Sequence, residues 1–226
     1  MTAHSYSSLK CFDTCARKYF HLYQAKDVKD GGTKESTYGD DMHKMLARYI
    51  NEGAALPADH AKAKALLDTL RGRSDHLMAE RRMAVRANLK PCEFFDGATW
   101  MRGVLDVLAV RGDTAVCLDW KYGKRRPDFL QLKIFALLAF QNYPKVQSVQ
   151  SSFLWMADGM AQDKRTYTRE DIPGIVAELQ DKMDRVQACQ QHDNWPLNPS
   201  GLCGWCPVTA PTCPYGRHPI EKEDEE

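Results

Sequence analysis

Two acidic side chains and a lysine stand in a part of the sequence that otherwise predicts buried strands. Residues 103–121 form two apolar runs rich in β-branched residues, separated by an Arg-Gly-Asp triplet, a pattern typical of a β-hairpin. Asp106 lies in the first run, whereas Asp119 and Lys121 lie at the end of the second. A buried charge is costly unless it is paired or bound to a metal. A divalent cation that acts on a phosphate-containing substrate would explain all three residues.

A second group of residues with metal-binding chemistry lies near the C-terminal end. Cys203-x-x-Cys206, followed by Cys213, occupies a stretch rich in proline and glycine that cannot form regular structure. The sequence has eight cysteines but neither an apolar leader nor an apolar run long enough to cross a membrane. We therefore expect a cytoplasmic protein in which the clustered thiols bind a metal rather than form disulfides. Their spacing alone does not distinguish zinc from an iron–sulfur cluster.

The overall composition excludes binding to nucleic acid through bulk charge. The 226 residues include 43% hydrophobic and 27% charged residues, as in ordinary globular proteins, and the formal net charge is +1. Any contact with phosphates must therefore come from local basic patches. Lys124, Arg125 and Arg126 form the strongest candidate because they directly follow Lys121.

The hydrophobic periodicity predicts an α/β core followed by a C-terminal appendage. Strands that are apolar on both faces, as in 103–121, are expected in a sheet covered by helices on each side. Helices are predicted where apolar residues recur every three to four positions, and strands where apolar and β-branched residues alternate or cluster. The predicted helices are 5–24, 36–51, a segment after Pro57 that continues into the basic stretch 71–86, 128–142 and 169–192; strand character begins at Ala79 and returns in 99–110, 114–121, 146–157 and 161–167.

Several of these residues together match the motifs of a known family. Gly103-x-x-Asp106, Asp119-x-Lys121 and Gln131 on the next predicted helix resemble the PD-(D/E)XK nuclease superfamily, in its RecB-like branch. The segments Ser8-Leu9-x-x-Phe12-x-x-Cys15-x-Arg17-Lys18-Tyr19 and Gly39-Asp40-Asp41-Met42-His43 are similar to the opening motifs of that branch. With the three C-terminal cysteines, the set is most similar to CRISPR-associated iron–sulfur exonucleases and related phage nucleases.

The resemblance implies a role for each residue of the candidate catalytic set. Asp106 and Asp119 would bind Mg²⁺ or Mn²⁺, with His43 and the main-chain carbonyl of Trp120 as further ligands. Lys121 would position the attacking water and neutralise the phosphate, and Gln131 would orient Lys121 or that water. Taken alone, His43 is equally compatible with a solvated histidine, and Gln131 with a helix cap.

The resemblance also implies a domain organisation. Residues 1–193 would form a nuclease core of the restriction-endonuclease type, with a mixed central sheet flanked by helices. Residues 194–216 would form an iron–sulfur element, in which Cys203, Cys206 and Cys213 share a [4Fe–4S] cluster with Cys15, which fits this role better than Cys11. Zinc at the same thiols stays the alternative. Residues 217–226 would be an acidic, disordered tail.

The resulting hypothesis is a metal-dependent deoxyribonuclease, and more narrowly an exonuclease on single-stranded DNA or DNA ends. The DNA contacts expected are Tyr19, Lys124, Arg125 and Arg126. Recombination and repair, phage DNA processing and CRISPR spacer acquisition are the settings that the resemblance implies, with a homo-oligomer or a partner protein from those pathways. The alternative is an inactive DNA-binding or adaptor module that retains the fold and the cluster.

Overall fold

The computed structural model of the chain describes residues 3–32 and 34–216, apart from the side chains of residues 34–36. The acidic tail predicted at 217–226 lies outside the described residues. The described chain divides into two compact units. The first contains residues 3–6 and 34–178, and the second contains residues 7–32 and 179–216. None of the described helices is long and apolar enough to span a membrane.

The first unit is built on a mixed sheet of five strands in the order β1-β2-β3-β4-β5. The strands β3 and β4 are parallel, and all other neighbours are antiparallel. This confirms the predicted α/β fold with a mixed sheet flanked by helices. The strands are β1 (His76–Arg86), β2 (Thr99–Arg111), β3 (Thr114–Lys121), β4 (Ser148–Trp155) and β5 (Ala161–Thr168), and the helices of the chain are α1 (Tyr6–Thr14), α2 (Ala16–Tyr19), α3 (Lys34–Glu52), α4 (Ala61–Arg73), α5 (Phe129–Asn142) and α6 (Ile172–Gln191).

Helix α5 covers one face of the sheet. It begins where Asp128 accepts a hydrogen bond from the backbone N–H of Leu130, as an N-cap residue should. Most of its residues are buried, and it packs against β1, β2, β3 and β4. The other face is covered by α3 and α4, through a cluster that joins Leu46 and Leu67 to Trp120. The crossover between the parallel strands β3 and β4 therefore uses α5, as parallel pairing requires.

Two predicted boundaries are wrong, and each has a physical reason. The helix that was predicted to continue into the basic stretch ends at Arg73. Strand β1 begins at His76, earlier than the predicted Ala79, because residues 76–79 pair with 107–110 of β2. The helix predicted over 5–24 is broken at Cys15, whose backbone is extended (φ −165°), and ends in a π-helix, Phe20–Ala25. The break separates α1 from α2.

The second unit has its own small core. Phe12 and Tyr19 pack with Val186 of α6 and with Trp195, which lies in the segment after that helix. The rings of Tyr19 and Trp195 stack with centroids 5.9 Å apart, and Arg17 Nε donates a hydrogen bond to the Trp195 carbonyl. These contacts join two parts of the chain that are far apart in sequence.

Candidate metal centre and cysteine cavity

Three carboxylates lie in one row across neighbouring strands of the sheet. Val107 pairs with Leu118, so that the next residues along β2 and β3 are Asp106 and Asp119. On the other side of β2, Glu80 lies between the pairs Ala79–Val107 and Arg81–Leu105, opposite Asp106. Each strand therefore contributes one acidic residue to the same level of the sheet.

The backbone is irregular at this level. Glu80 has a φ of +51°, in the left-handed region that residues other than glycine seldom adopt. A Cβ added to Gly103 would lie 2.9 Å from Leu138 of α5, whereas Val107 packs with the cluster formed by α3 and α4. Regular alternation would place both odd-numbered residues on the same face. The alternation of β2 therefore breaks between them, next to Asp106, and Glu80 accommodates the break on β1.

Helix α3 brings His43 to this break. Its Nε2 lies 3.0 Å from the Trp120 carbonyl oxygen, and its Nδ1 lies 3.3 Å from Asp106 Oδ1. A carbonyl can only accept a hydrogen bond, so Nε2 must carry the proton in this contact. The other carboxylate oxygen, Asp106 Oδ2, accepts a hydrogen bond of 2.8 Å from the Trp120 N–H. The Trp120 N–H therefore donates to the Asp106 side chain, at a level where β2 and β3 are no longer paired through their backbones.

The second carboxylate belongs to a separate triangle of polar side chains. Asp119 Oδ2 lies 2.6 Å from Lys121 Nζ, and Asp119 Oδ1 accepts a hydrogen bond of 2.6 Å from Gln131 Nε2. Lys121 also donates to Gln131 Oε1 at 3.0 Å. Asp119 and Lys121 share one face, as the alternation of a strand predicts, and α5 supplies the residue that holds both.

The site brings together two buried carboxylates, Asp106 and Asp119, and the exposed carboxylate of Glu80. Burial, and next the charge of Asp106, raise the pKa of Asp119, while Lys121 opposes the shift. Burial lowers the pKa of His43, but the hydrogen bond and charge of Asp106 outweigh it and leave this pKa above its ordinary value. Burial and the charge of Asp106 also raise the pKa of Glu80. Burial and the repulsion between carboxylates raise the pKa values of Asp119 and Glu80, whereas attraction to Asp106 raises that of His43; both effects are typical of a site suited to a cation.

The donor atoms fit a divalent cation. Among the described residues, one ligand atom from each of His43, Glu80 and Asp106 lies within 4.8 Å of the other two. Carboxylate oxygens suit Mg²⁺ and Mn²⁺, and an imidazole favours Mn²⁺. Metal-binding histidines commonly donate their other ring N–H to a carbonyl, which His43 does through Nε2. The Trp120 carbonyl therefore accepts a hydrogen bond from His43 in this structure. Asp119 is next to the group formed by His43, Glu80 and Asp106 but does not belong to it.

Four of the predicted cysteines line one cavity within the second unit. These are Cys15, Cys203, Cys206 and Cys213, and the lining also includes Arg17 and Lys18. Cys11 is not among the lining residues. The break between α1 and α2 places Cys15 there, and a 3₁₀ turn, Gly201–Trp205, presents Cys203.

The cavity has features that suit a group bound by thiolates. The Ser200 N–H donates a hydrogen bond to Cys203 Sγ at 3.4 Å. Burial raises the pKa of the Cys206 thiol, whereas the positive charge of Lys18 lowers it. A bound metal removes the thiol proton, so the raised pKa is no obstacle to ligation. The donor set fits either zinc or an iron–sulfur cluster.

The residues predicted to contact DNA are placed unevenly. Tyr19 is fully buried in the core of the second unit, so it offers no surface for stacking on a base. Arg125 pairs with Asp163 at 2.8 Å and also reaches Asp158. The structure therefore does not present these two side chains as free DNA contacts. Lys124 and Arg126 are exposed.

Comparison with known proteins identifies the superfamily of the chain. A sequence profile of the PD-(D/E)XK nuclease superfamily matches residues 3–214, and the chain belongs to this superfamily. No curated protein matches the sequence significantly.

Two solved structures are similar over most of the chain. One is a protein from Eubacterium rectale whose assignment as an exonuclease is provisional; it is 14% identical, with a TM-score of 0.51, and the match covers 91% of this chain and 87% of that one. The other, named SSO0001, is 13% identical with a TM-score of 0.43, covering 96% and 89%. At this identity the first likeness shows the fold alone.

Glu80 is the residue whose place the sequence did not reveal. The resemblance to the superfamily matches Glu80 with a glutamate that often precedes the first core strand, but it implies no role for this residue. Two signals bring it into the site: the pairing of β1 with β2, and a left-handed backbone opposite Asp106. Neither is visible in the order of the residues, because both depend on long-range strand pairing.

Proposed function

We propose that the chain is a metal-dependent DNA nuclease whose active site lies at the break in β1 and β2. The superfamily membership and the fold support a nuclease with DNA as substrate and a divalent metal as cofactor. The observation that carries the proposal is the row of Glu80, Asp106 and Asp119, which has His43 on one side and Lys121 on the other. Nothing in DNA binding alone requires acids beside a phosphate.

In this proposal His43, Glu80 and Asp106 hold the cation, and Asp119 supplies a further carboxylate. When bound, the cation lowers the pKa of a water ligand and offsets the charge that develops on the phosphate. Lys121 contributes a positive charge at the same place. Its side chain is about one-third exposed, so it can reach a bound phosphate. Gln131 keeps both Asp119 and Lys121 in place through two hydrogen bonds.

The narrower proposal is an exonuclease of the RecB-like branch that acts on single-stranded DNA or DNA ends. Hydrolysis would add water at phosphorus and break the bond to the leaving sugar oxygen. The motif resemblance, including the cysteine set, supports this reading. It also suggests a cytoplasmic role in recombination and repair, phage DNA processing or CRISPR spacer acquisition, with a homo-oligomer or a protein partner.

We further propose that Cys15, Cys203, Cys206 and Cys213 bind a [4Fe–4S] cluster. Their common cavity supports a shared ligand, and the motif resemblance favours iron over zinc. Protein purified without oxygen should show broad visible absorbance that bleaches on reduction, whereas a zinc protein would be colourless.

The decisive experiment measures cleavage of end-labelled DNA with Mg²⁺ or Mn²⁺ under anaerobic conditions. Asp119→Ala should lower the rate by about 10²- to 10³-fold, because it removes a carboxylate and the partner of Lys121. Asp113→Ala is the matched control, since this exposed aspartate lies in the turn at the other end of β3. It should cleave like the wild type.

The choice of substrates separates the competing activities. Linear single strands should be degraded and circular ones spared if the enzyme needs an end. Equal cleavage of both forms would overturn the exonuclease proposal but keep the nuclease. Tight binding without cleavage by wild type and variant alike would instead favour the inactive adaptor.

A further inference from the structure

A group of arginine and phenylalanine side chains lies on β1, β2 and the loop between them. We call Arg82, Phe94, Phe95 and Arg102 the Arg–Phe platform. The guanidinium carbon of Arg82 lies 5.6 Å and 5.9 Å from the ring centroids of Phe94 and Phe95, and that of Arg102 lies 5.1 Å and 5.5 Å from them. These are cation–π distances, so the four side chains form one connected surface.

The platform leaves an aromatic ring in water. Phe95 is 74% exposed, and the Phe94 ring packs edge-on against it with centroids 5.0 Å apart. A groove beside the two rings is lined by Arg81, Arg82 and Arg86, and it also contains the carboxylates of Glu93 and Asp96. The exposed ring and the neighbouring guanidinium groups combine a flat apolar surface with positive charge.

The loop that carries the two rings is ordered by its own hydrogen bonds. The Arg86 N–H donates to the Lys90 carbonyl, and the Cys92 N–H donates to the Ala84 carbonyl. Asp96 accepts from the Ala98 N–H at 2.7 Å and from Arg86 at 2.6 Å. The exposed ring is therefore held in place before any ligand binds, which lowers the entropic cost of binding.

The positive charges of the groove are not equally available. Arg86 is neutralised by Asp96, and Arg102 donates to the Phe94 carbonyl at 3.3 Å. Among the described residues, no carboxylate lies within ion-pair distance of Arg81 or Arg82. These two guanidinium groups can therefore bind a phosphate without losing another ion pair.

The platform lies next to the candidate metal centre. Arg82 follows Glu80 by two residues on β1, which corresponds to about 7 Å along a strand. The same distance corresponds to roughly two stacked nucleotides of one strand. A chain of phosphates with a scissile bond at the metal would thus reach the platform within a few nucleotides.

From this arrangement we infer that the Arg–Phe platform binds unpaired nucleotides of a single DNA strand beside the active site. A base would stack on Phe95, and Arg81 and Arg82 would contact the neighbouring phosphates. The inference rests on the proposed function, since it names the form of DNA that this nuclease binds. Base pairs inside a duplex cannot expose a face to Phe95 without leaving the stack, so the platform distinguishes unpaired nucleotides from the interior of a double strand.

The test is the affinity for labelled oligothymidylate and for an abasic oligonucleotide of equal length, measured by fluorescence anisotropy in chelator. Phe95→Ala should weaken binding to oligothymidylate about tenfold and leave the abasic strand unchanged, because an abasic strand has no base to stack on the ring. Phe95→Trp should retain wild-type affinity, whereas Phe95→Leu should not. Arg82→Ala should lower the slope of log K against log salt by about 0.7.

The matched control is Arg111→Ala, which removes an exposed arginine at the other end of β2. It should change neither affinity. Equal losses for Phe95→Ala on both oligonucleotides would overturn the inference, as would a changed oligomeric state with unchanged DNA affinity, which would assign the surface to contacts between copies. Wild-type protein that neither binds nor cleaves DNA would instead refute the proposed function itself.

Discussion

The candidate metal centre and the cysteine cavity gather their ligands in different ways. At the first, Asp106 and Asp119 lie on paired strands, and their oxygens already have partners in Trp120, Lys121 and Gln131. At the second, the thiols lie on a helix break and on loops, and the hydrogen bonds that connect these segments, such as that from the Arg17 N–H to the Pro196 carbonyl, belong to no sheet. One site is held by the sheet, and the other is held by irregular backbone.

This difference predicts different behaviour when the bound group is lost. A site held by strand pairing keeps its geometry without metal, because the strands have other reasons to pair. Irregular loops bury little apolar surface, so binding of a metal contributes directly to their folding. Metal removal should therefore change chemistry at the first site and structure at the second.

The largest expected effect is the loss of a cavity ligand. Cys206→Ser should lower bound iron or zinc by about tenfold or more and make residues 194–216 sensitive to protease. Metal analysis and limited proteolysis would measure both. Cys189→Ser is the matched control, since this half-buried thiol packs in the core of the second unit. A Cys206→Ser protein with full metal content and unchanged proteolysis would contradict the contrast.

A smaller effect is expected from the least conventional ligand of the metal centre. Glu80→Gln should weaken Mn²⁺ binding by about 10- to 100-fold, because an amide oxygen replaces a charged one beside His43 and Asp106. Calorimetric titration would measure the affinity, and the unfolding temperature should stay close to that of the wild type. Glu52→Gln, an exposed change on α3, should leave the affinity unchanged. Equal affinities for the two variants would remove Glu80 from the site.

The smallest effect concerns the metal-free protein and pH. The pKa of Asp119 is raised by folding, so the stability that its proton provides is complete below the ordinary pKa of 3.8 and is lost as the pH rises through the raised value. Asp119→Asn avoids that loss. In chelator the variant should unfold roughly 2–4 °C above the wild type at alkaline pH for each kcal/mol regained.

Melting curves over a pH series give the check. The advantage of Asp119→Asn should shrink toward acid pH, where the wild-type carboxyl is already protonated. Asp113→Asn, at an exposed position, should show no such trend. A constant difference at every pH would mean that the burial of Asp119 carries no electrostatic cost.

Much of the first unit followed from local patterns. The hairpin around Arg111 and the helix that begins after Asp128 depend on neighbouring residues, whereas the place of Gln131 beside Asp119 and Lys121 was implied by the family resemblance. Periodicity and capping chemistry report such features directly. The superfamily motifs also pointed to Asp106 and Asp119, which lie at the same level of the paired strands β2 and β3.

The remaining features depend on contacts between distant segments. Residues 76–78 belong to β1 because they pair with residues 108–110 of β2, although the surrounding basic sequence predicted a helix. Tyr19, which was predicted to contact DNA, is buried because Trp195 packs on it from a segment far along the chain. Arg125 was predicted to contact DNA, but it forms an ion pair with Asp163 of β5. None of these partners can be read from a local window.

The backbone of Trp120 has an uncommon position between two candidate ligands. Its N–H donates to Asp106 and its carbonyl accepts from His43, so one residue connects both side chains to strand β3. Any cation that draws charge from Asp106 weakens the acceptor of that N–H. The amide proton of Trp120 is therefore a built-in spectroscopic reporter, whose chemical shift and exchange rate follow occupancy of the centre without a label on DNA or metal.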